Sequence, residues 1–153
     1  FQLHDCYGET KNMNSSNTNS GGWTSCAMRS THLPAILALM PTEVQNGIRE
    51  VSKKASVGGA SSTIETVSDK LFLLSEVEIF GSTSYSAAGE GTQYDYYKAG
   101  NSKVKNYNGS AANWWERSPF ASDSAFFCLV LGSGSANYGS ASIAYGVAFG
   151  FCF

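Results

Sequence analysis

The side chains of this sequence that could do covalent, metal or acid–base chemistry are four cysteines, two histidines and twelve acidic residues. Their spacing argues against most of it. Cys6, Cys26, Cys128 and Cys152 include no Cys-x-x-Cys pair, which removes zinc-knuckle and dithiol-redox arrangements. They are also too few and too dispersed to form a disulfide scaffold in a chain of 153 residues. Cys128 lies in Phe127-Cys128-Leu129-Val130 and Cys152 in Gly150-Phe151-Cys152-Phe153, so both read as buried small hydrophobes. His4-Asp5-Cys6 and His32 are the remaining metal candidates, and a lone histidine near a terminus is far more often solvated than ligating. The expectation is therefore no catalytic residue, no metal and no cofactor.

Composition narrows the partners. Charged residues are 14% of the chain, against roughly 25% in an ordinary soluble domain. A net charge of −2 with scattered Lys and Arg leaves no electrostatic footprint for nucleic acid. No apolar run approaches the ~20 residues that span a bilayer, so no membrane insertion is expected. Hydrophobic residues at 42% and aromatic residues at 13% supply one sizeable core, and residues 1–153 read as a single domain. A first residue of Phe1 rather than Met reads as a piece of a longer polypeptide.

The elements that must hold this core are only partly periodic. The first 22 residues are polar and irregular, ending in the loop Asn17-Thr18-Asn19-Ser20-Gly21-Gly22. Met28, Leu33, Ile36, Leu37, Leu39 and Met40 predict a helix over 27–40, with Pro34 tolerated near its start. A second helix is expected from Thr42, whose spacing to Gln45 suits a capping box. Val44, Ile48 and Val51 would form its buried face, with Lys53 and Lys54 at its C-terminal end. Residues 55–68 read as a Ser/Gly/Thr-rich connection. Lys70–Ser75 reads as a central strand, continued with alternation through Glu76–Phe80 to Gly81. Residues 82–112 read as a long loop with one short helix around Tyr94–Lys98. Strands are expected at 126–131 and 147–153. Two helices beside short antiparallel strands and long loops make an α+β fold.

Residues 120–146 differ in kind from what precedes them. They contain no Lys, Glu, Gln, Met or Trp, although these five types make up about a fifth of residues 1–119. Those are five types that no pyrimidine-ending codon can encode, and every type present can be so encoded. Asn codons whose adenines were replaced by any base would leave this signature; a Gly/Ser/Ala-rich low-complexity loop would also lack those types. Along the strand, Cys128 and Val130 would face one side and Leu129, Leu131, Ser133 and Ser135 the other. The palette of Tyr and Phe with Ser, Gly and Asn is that of an antibody paratope, in which rigid rings give contact area and small polar residues give adaptable hydrogen bonds. Asp123 is the tract's only ionisable group besides Tyr and Cys.

Four stretches in order carry a resemblance: Gly21-Gly22-Trp23 with Met28-Arg29; Asp69 through Glu78; Trp114-Trp115-Glu116-Arg117-Ser118-Pro119; and Gly146-Val147-Ala148-Phe149-Gly150-Phe151. Together they resemble the variable proteins of diversity-generating retroelements, above all the prophage and gut-phage members. The resemblance implies a C-type lectin fold with a constant scaffold (1–119), a variable ligand-binding region (120–146) and a closing strand (147–153). In that family a reverse transcriptase copies a template with errors at adenines, and the copy overwrites the variable region. Carried over residue by residue, the diversified, ligand-binding positions are Phe120, Ala121, Asp123, Ala125, Phe126, Leu129, Leu131, Ser133, Ser135, Asn137, Tyr138, Gly139, Ser140, Ile143, Ala144 and Tyr145. Phe127, Cys128, Val130, Gly134, Ala136, Ala141, Gly146 and Val147 are the framework between them.

The resemblance further implies a receptor-recognition domain on a phage tail or bacterial surface, facing outward and binding a protein or glycan, with a homo-oligomer compatible. Calcium-dependent sugar lectins of this fold carry Glu-Pro-Asn or Gln-Pro-Asp triplets, and none of Pro34, Pro41 and Pro119 sits in one. A copper-dependent oxidase of the same fold would need cysteines among polar residues. A structural or oligomerisation tip of a phage fibre remains the other reading, but it gives no reason for one segment to avoid five residue types.

Overall fold

Trp23 is the first fully buried aromatic residue of the chain. The computed structural model describes residues 1–153, and in it Trp23 is fully buried in a single helical turn, α1 (Gly22–Ser25). Its indole N–H donates to Asp69 at 2.8 Å, and the same carboxylate pairs with Arg29 at 2.6 Å. Gly22 has φ +54°, and a Cβ there would fall 1.9 Å from the Ser56 carbonyl oxygen, so the Gly-Gly-Trp turn admits no side chain at that position.

The predicted 27–40 helix is present in two forms, a π turn over Met28–His32 running into α2 (Leu33–Ala38), with Pro34 in its first turn. Met28, Leu33 and Ile36 face the core, whereas Leu39 is 78% exposed just past the helix end. The second helix is shorter than its spacing suggested. Pro41, not Thr42, occupies the N-cap of α3 (Thr42–Gly47), with no side-chain cap bond, and the helix stops at Gly47. Val51, Lys53 and Lys54 then belong to a strand, β1 (Val51–Ser56), which pairs in register with antiparallel β2 (Ile64–Asp69). The polar 55–68 segment is thus mostly a hairpin, with Thr66 and Ser68 the exposed residues of its second strand.

Residues 71–75 are extended and buried, but only Phe72 bridges another segment, at Gly150. The expected strand over Glu76–Phe80 is instead a helix, α4. Ser75 caps it by accepting from the Glu78 N–H, while the Glu78 carboxylate accepts from the Ser75 N–H; Gly81 ends it at φ +73°. A complete capping box followed by a left-handed glycine outweighs the two-residue alternation. The short helix near 94–98 is α5 (Asp95–Lys98). A small hairpin follows it, β3 (Lys105–Tyr107) with β4 (Ser110–Ala112).

The last sheet is antiparallel, in the order β5 (Trp114–Pro119), β6 (Phe126–Val130), β7 (Ala136–Ser140). Every residue of β5 is buried. The 147–153 segment does not join one sheet as a closing strand; Gly150 bridges Gln2 and Phe72, and Cys152 bridges Arg49. It lies among three otherwise separate pieces of chain, and Phe149 and Val147 receive hydrogen bonds from Leu3 and Tyr7. One cluster of 23 buried residues, from Met13 to Phe149, unites these elements. The molecule is a small mixed α/β domain of short helices and short antiparallel sheets, and no helix is long and apolar enough to cross a membrane.

Candidate functional site

β6 is the central strand of the last sheet, and the tract 120–146 wraps around it. Phe127, Cys128, Leu129 and Val130 are all buried, so both faces of the strand are covered. The expected division into one core face and one ligand face therefore fails for Leu129. It is 1% exposed, opposes Trp115 across the β5–β6 ladder and belongs to the main core cluster. Gly139 is buried too, and a Cβ there would lie 2.8 Å from both Leu129 Cδ2 and Tyr145 Cε2. Any larger residue at 139 requires those side chains to move.

The other fourteen of the sixteen positions reach the surface at least in part. Asp123, Ser133, Ser135, Tyr138, Ile143 and Ala144 are exposed; Phe120, Ala121, Ala125, Phe126, Leu131, Asn137, Ser140 and Tyr145 are half-buried. The structure gathers three of them into an aromatic patch. Phe120 and Tyr138 stack with ring centres 4.2 Å apart and planes 6° from parallel, and Phe126 stands edge-on to Tyr138 at 5.4 Å. Tyr85, outside the tract, packs edge-on to Tyr138 at 5.2 Å and to Phe120 at 6.1 Å. Nothing in the sequence marks Tyr85 beyond its being an aromatic residue in a Gly/Ser-rich loop.

Two buried polar side chains hold this patch. The Glu76 carboxylate, fully buried, accepts the backbone N–H groups of Ser84, Tyr85 and Ser86 at 2.7–3.1 Å. Tyr85 then accepts from the Ala121 N–H at 2.8 Å, and Ser86 bridges Phe120. Asn19, also fully buried, donates its amide to the carbonyls of Asp123 at 2.9 Å and Phe126 at 2.6 Å, and accepts from the Gly59 N–H at 2.8 Å. The 120–126 loop is thus tied to the scaffold through its backbone. That attachment leaves its side chains free to vary.

Most of the remaining surface positions lie in the β6–β7 turn and in the segment after β7. Ser133 and Ser135 sit in the β6–β7 turn, their hydroxyls 3.2 Å apart, where Gly132 and Gly134 approach Ala111 and Val104. Tyr145 stands edge-on to Trp115 at 4.9 Å and exchanges backbone hydrogen bonds with Lys11 at 3.0 and 3.1 Å. Ile143 is 47% exposed beside it. The positions therefore form a surface running along the hairpin, with aromatic rings at one end and serines at the other.

Strongly perturbed acids lie beneath this surface, not on it. Burial pushes Glu116 well above the carboxylate range, and neither of its oxygens has a hydrogen-bond partner. Burial likewise raises the Cys128 thiol, with Glu116, Glu76 and Glu90 adding to it. For Glu78, burial works upward, but the Arg117 guanidinium at 2.5 Å and the Lys53 ammonium at 3.0 Å outweigh it and hold the carboxyl below its usual value. All four cysteines are free thiols; Cys128 is buried as expected, but Cys152 is partly exposed rather than buried. No three His, Cys, Asp or Glu side chains converge in a way that could hold a metal ion. What the tract presents outward is ring area, small hydroxyls, one amide and one carboxylate, an arrangement suited to contact and adaptable hydrogen bonding.

No curated protein and no solved structure shows a significant match to this chain. Residues 3–152 match the model of a family described as a domain of unknown function, DUF6273, and the chain belongs to that family.

Proposed function

We propose that residues 120–146 are the diversified recognition surface of a ligand-binding domain, a variable protein of a diversity-generating retroelement built on a C-type lectin fold. The observation that carries this reading is the absence of Lys, Glu, Gln, Met and Trp from the tract. Its burial pattern supports the same division: of the eight framework positions, six are buried (Phe127, Cys128, Val130, Ala141, Gly146 and Val147), against two of the sixteen diversified ones. Random side chains are tolerated where they meet solvent and destabilise where they meet the core. Leu129 and Gly139 act as packing residues in this variant, and Tyr85 adds a fixed ring to the contact surface.

The ligand is a protein or glycan on a cell surface, met by a domain displayed on a phage tail or a bacterial envelope. The aromatic stack favours a protein or another apolar patch, since rigid rings at low entropy cost are the usual anchors of such interfaces. Sequencing the encoding locus tests the reading directly. Pyrimidine-ending codons at the diversified positions, with a nearby near-copy that differs only at adenines, are the expected result. Ordinary codon usage with no second copy would reduce the tract to a small-residue loop. With a ligand in hand, changing Tyr138 and Tyr145 together to Ala should weaken binding by about tenfold or more, and unchanged affinity would move the site elsewhere.

A further inference from the structure

A cleft of about 760 Å³ opens on the scaffold, and no residue of 120–146 lines it. Its volume is that of a small-molecule site. Phe72, Tyr94, Tyr96 and Tyr97 supply aromatic surface to it, with Tyr97 fixed by a 2.6 Å hydrogen bond from its hydroxyl to Gln2. Tyr96 is 55% exposed, so the aromatic wall extends to solvent.

The one lysine lining this cleft has no ion-pair partner, although Asp5 and Asp95 line it too. Lys105 lines it and is 6% exposed. Its ammonium donates to the backbone carbonyls of Leu3 at 2.5 Å and His4 at 2.9 Å and lies 5.3 Å from the Trp114 ring centre. All of these partners are neutral. The other two buried cations have a carboxylate, since Arg117 and Lys53 share Glu78. Asp5, the carboxylate whose charge acts on Lys105, accepts from the Asn106 N–H and sits 3.4 Å from His4 rather than forming an ion pair with Lys105. A buried charge without a counter-ion is costly, and a buried pair is the ordinary remedy.

We propose that this cleft binds a small organic monocarboxylate, its carboxylate pairing with Lys105 and its aromatic or aliphatic body lying against Tyr94, Tyr96 and Tyr97. The site belongs to the fixed scaffold, so it is common to every variant of the recognition surface. Desolvation has the matching consequence for Lys105, whose burial draws its pKa down to about 8, with Cys6 and Asp5 working in the opposite direction. A bound carboxylate favours the charged ammonium, so binding is accompanied by proton uptake at alkaline pH, and affinity falls as pH rises past that value. The other titratable side chains lining the cleft, His4, Asp5, Tyr94, Asp95, Tyr96, Tyr97 and Cys152, include no further lysine or arginine that could replace the cation.

The test is calorimetric titration of the intact domain with phenylacetate and octanoate, against 2-phenylethanol and 1-octanol. The acids should bind at least about tenfold tighter than the alcohols near pH 7, with the gap closing at about pH 9.5. In Lys105→Met the acid and the alcohol should bind alike. Tyr96→Ala, at an exposed ring, should weaken both without changing their ratio. Equal binding of acid and alcohol to the unmodified domain, or no binding of either acid at millimolar concentration, overturns the proposal. So does an acid preference that survives in Lys105→Met. If that variant does not fold, an acid preference unchanged between the two pH values is the overturning result.

Discussion

The scaffold segment 71–91 with β5 and the tract 120–146 treat polarity in opposite ways. In the first, charge is inside: Arg117 is fully buried, pairs with Glu78, and donates to the carbonyls of Lys54, Leu73 and Glu90. Glu90 in turn accepts from the Ser118 hydroxyl and the Ser56 N–H, and Glu76 gathers three backbone N–H groups. In the second, charge is nearly absent and the polar groups are small hydroxyls and amides at the surface. The contrast is mechanical. Buried polar networks join α4, β1 and β5 through bonds that do not involve the side chains of the tract. A surface held by its backbone and underpinned elsewhere can change residue by residue without loss of the fold.

Breaking the network should therefore cost the most. Arg117→Met takes a donor from each of three carbonyls and undoes half of the Glu78 pairing, and should lower stability by about 3–5 kcal/mol in urea denaturation. A loss under about 1 kcal/mol would mean that the scaffold does not depend on its buried charges. Leu129→Ala sharpens the comparison from within the tract, because this residue belongs to the core cluster; about 2–4 kcal/mol should be lost. Glu76→Ala removes the shared acceptor of three N–H groups and should cost about 2–3 kcal/mol, with faster amide hydrogen exchange at Ser84, Tyr85 and Ser86. Protection unchanged at those amides would show that Glu76 does not hold the aromatic patch.

Glu116 offers a smaller effect with a definite sign. Its folded-state pKa lies above its ordinary value because of burial, so folding favours the protonated form. Stability is then greatest below the unfolded-state pKa and declines as pH rises toward the folded-state value. Glu78 behaves oppositely, since its lowered pKa makes it stabilising above the unfolded-state value, and this is lost as pH falls. Glu116→Gln should accordingly narrow the stability gap between about pH 5 and about pH 8. A gap unaltered by the substitution would place the pH dependence on other groups. The smallest effects belong to the surface of the tract: Ser133→Asp and Ile143→Thr should each stay within about 0.5 kcal/mol. A large loss at either would contradict the picture of a tolerant surface.

Local rules and tertiary packing disagreed at identifiable places. Gly47 and Gly81 each stand where a helix ends, and Ser75 with Glu78 had the capping-box spacing, so α4 and the end of α3 were legible. Period-two alternation over 76–80 concealed the first, and apolar residues at 48 and 51 concealed the second. The β1–β2 hairpin escaped notice because three of its four exposed strand residues are Ser52, Thr66 and Ser68, whose small polar side chains read as a loop. Lys53 suits a helix end on charge alone; that it lies inward beside Glu78 depends on a residue 25 positions away.

The linear pattern carried an α+β class, one core, the positions of α2, α5 and β6, and the compositional break at 120–146, because these rest on periodicity and residue type within short windows. Whether Leu129 faces outward, which rings stack, and which buried lysine lacks a counter-ion rest on contacts between residues distant in sequence. Alternation along a strand identifies two faces but not whether both are covered. Both faces of β6 are covered here, which takes Leu129 out of the exposed surface of the tract, while Tyr85, held by Glu76, packs against that surface from outside the tract.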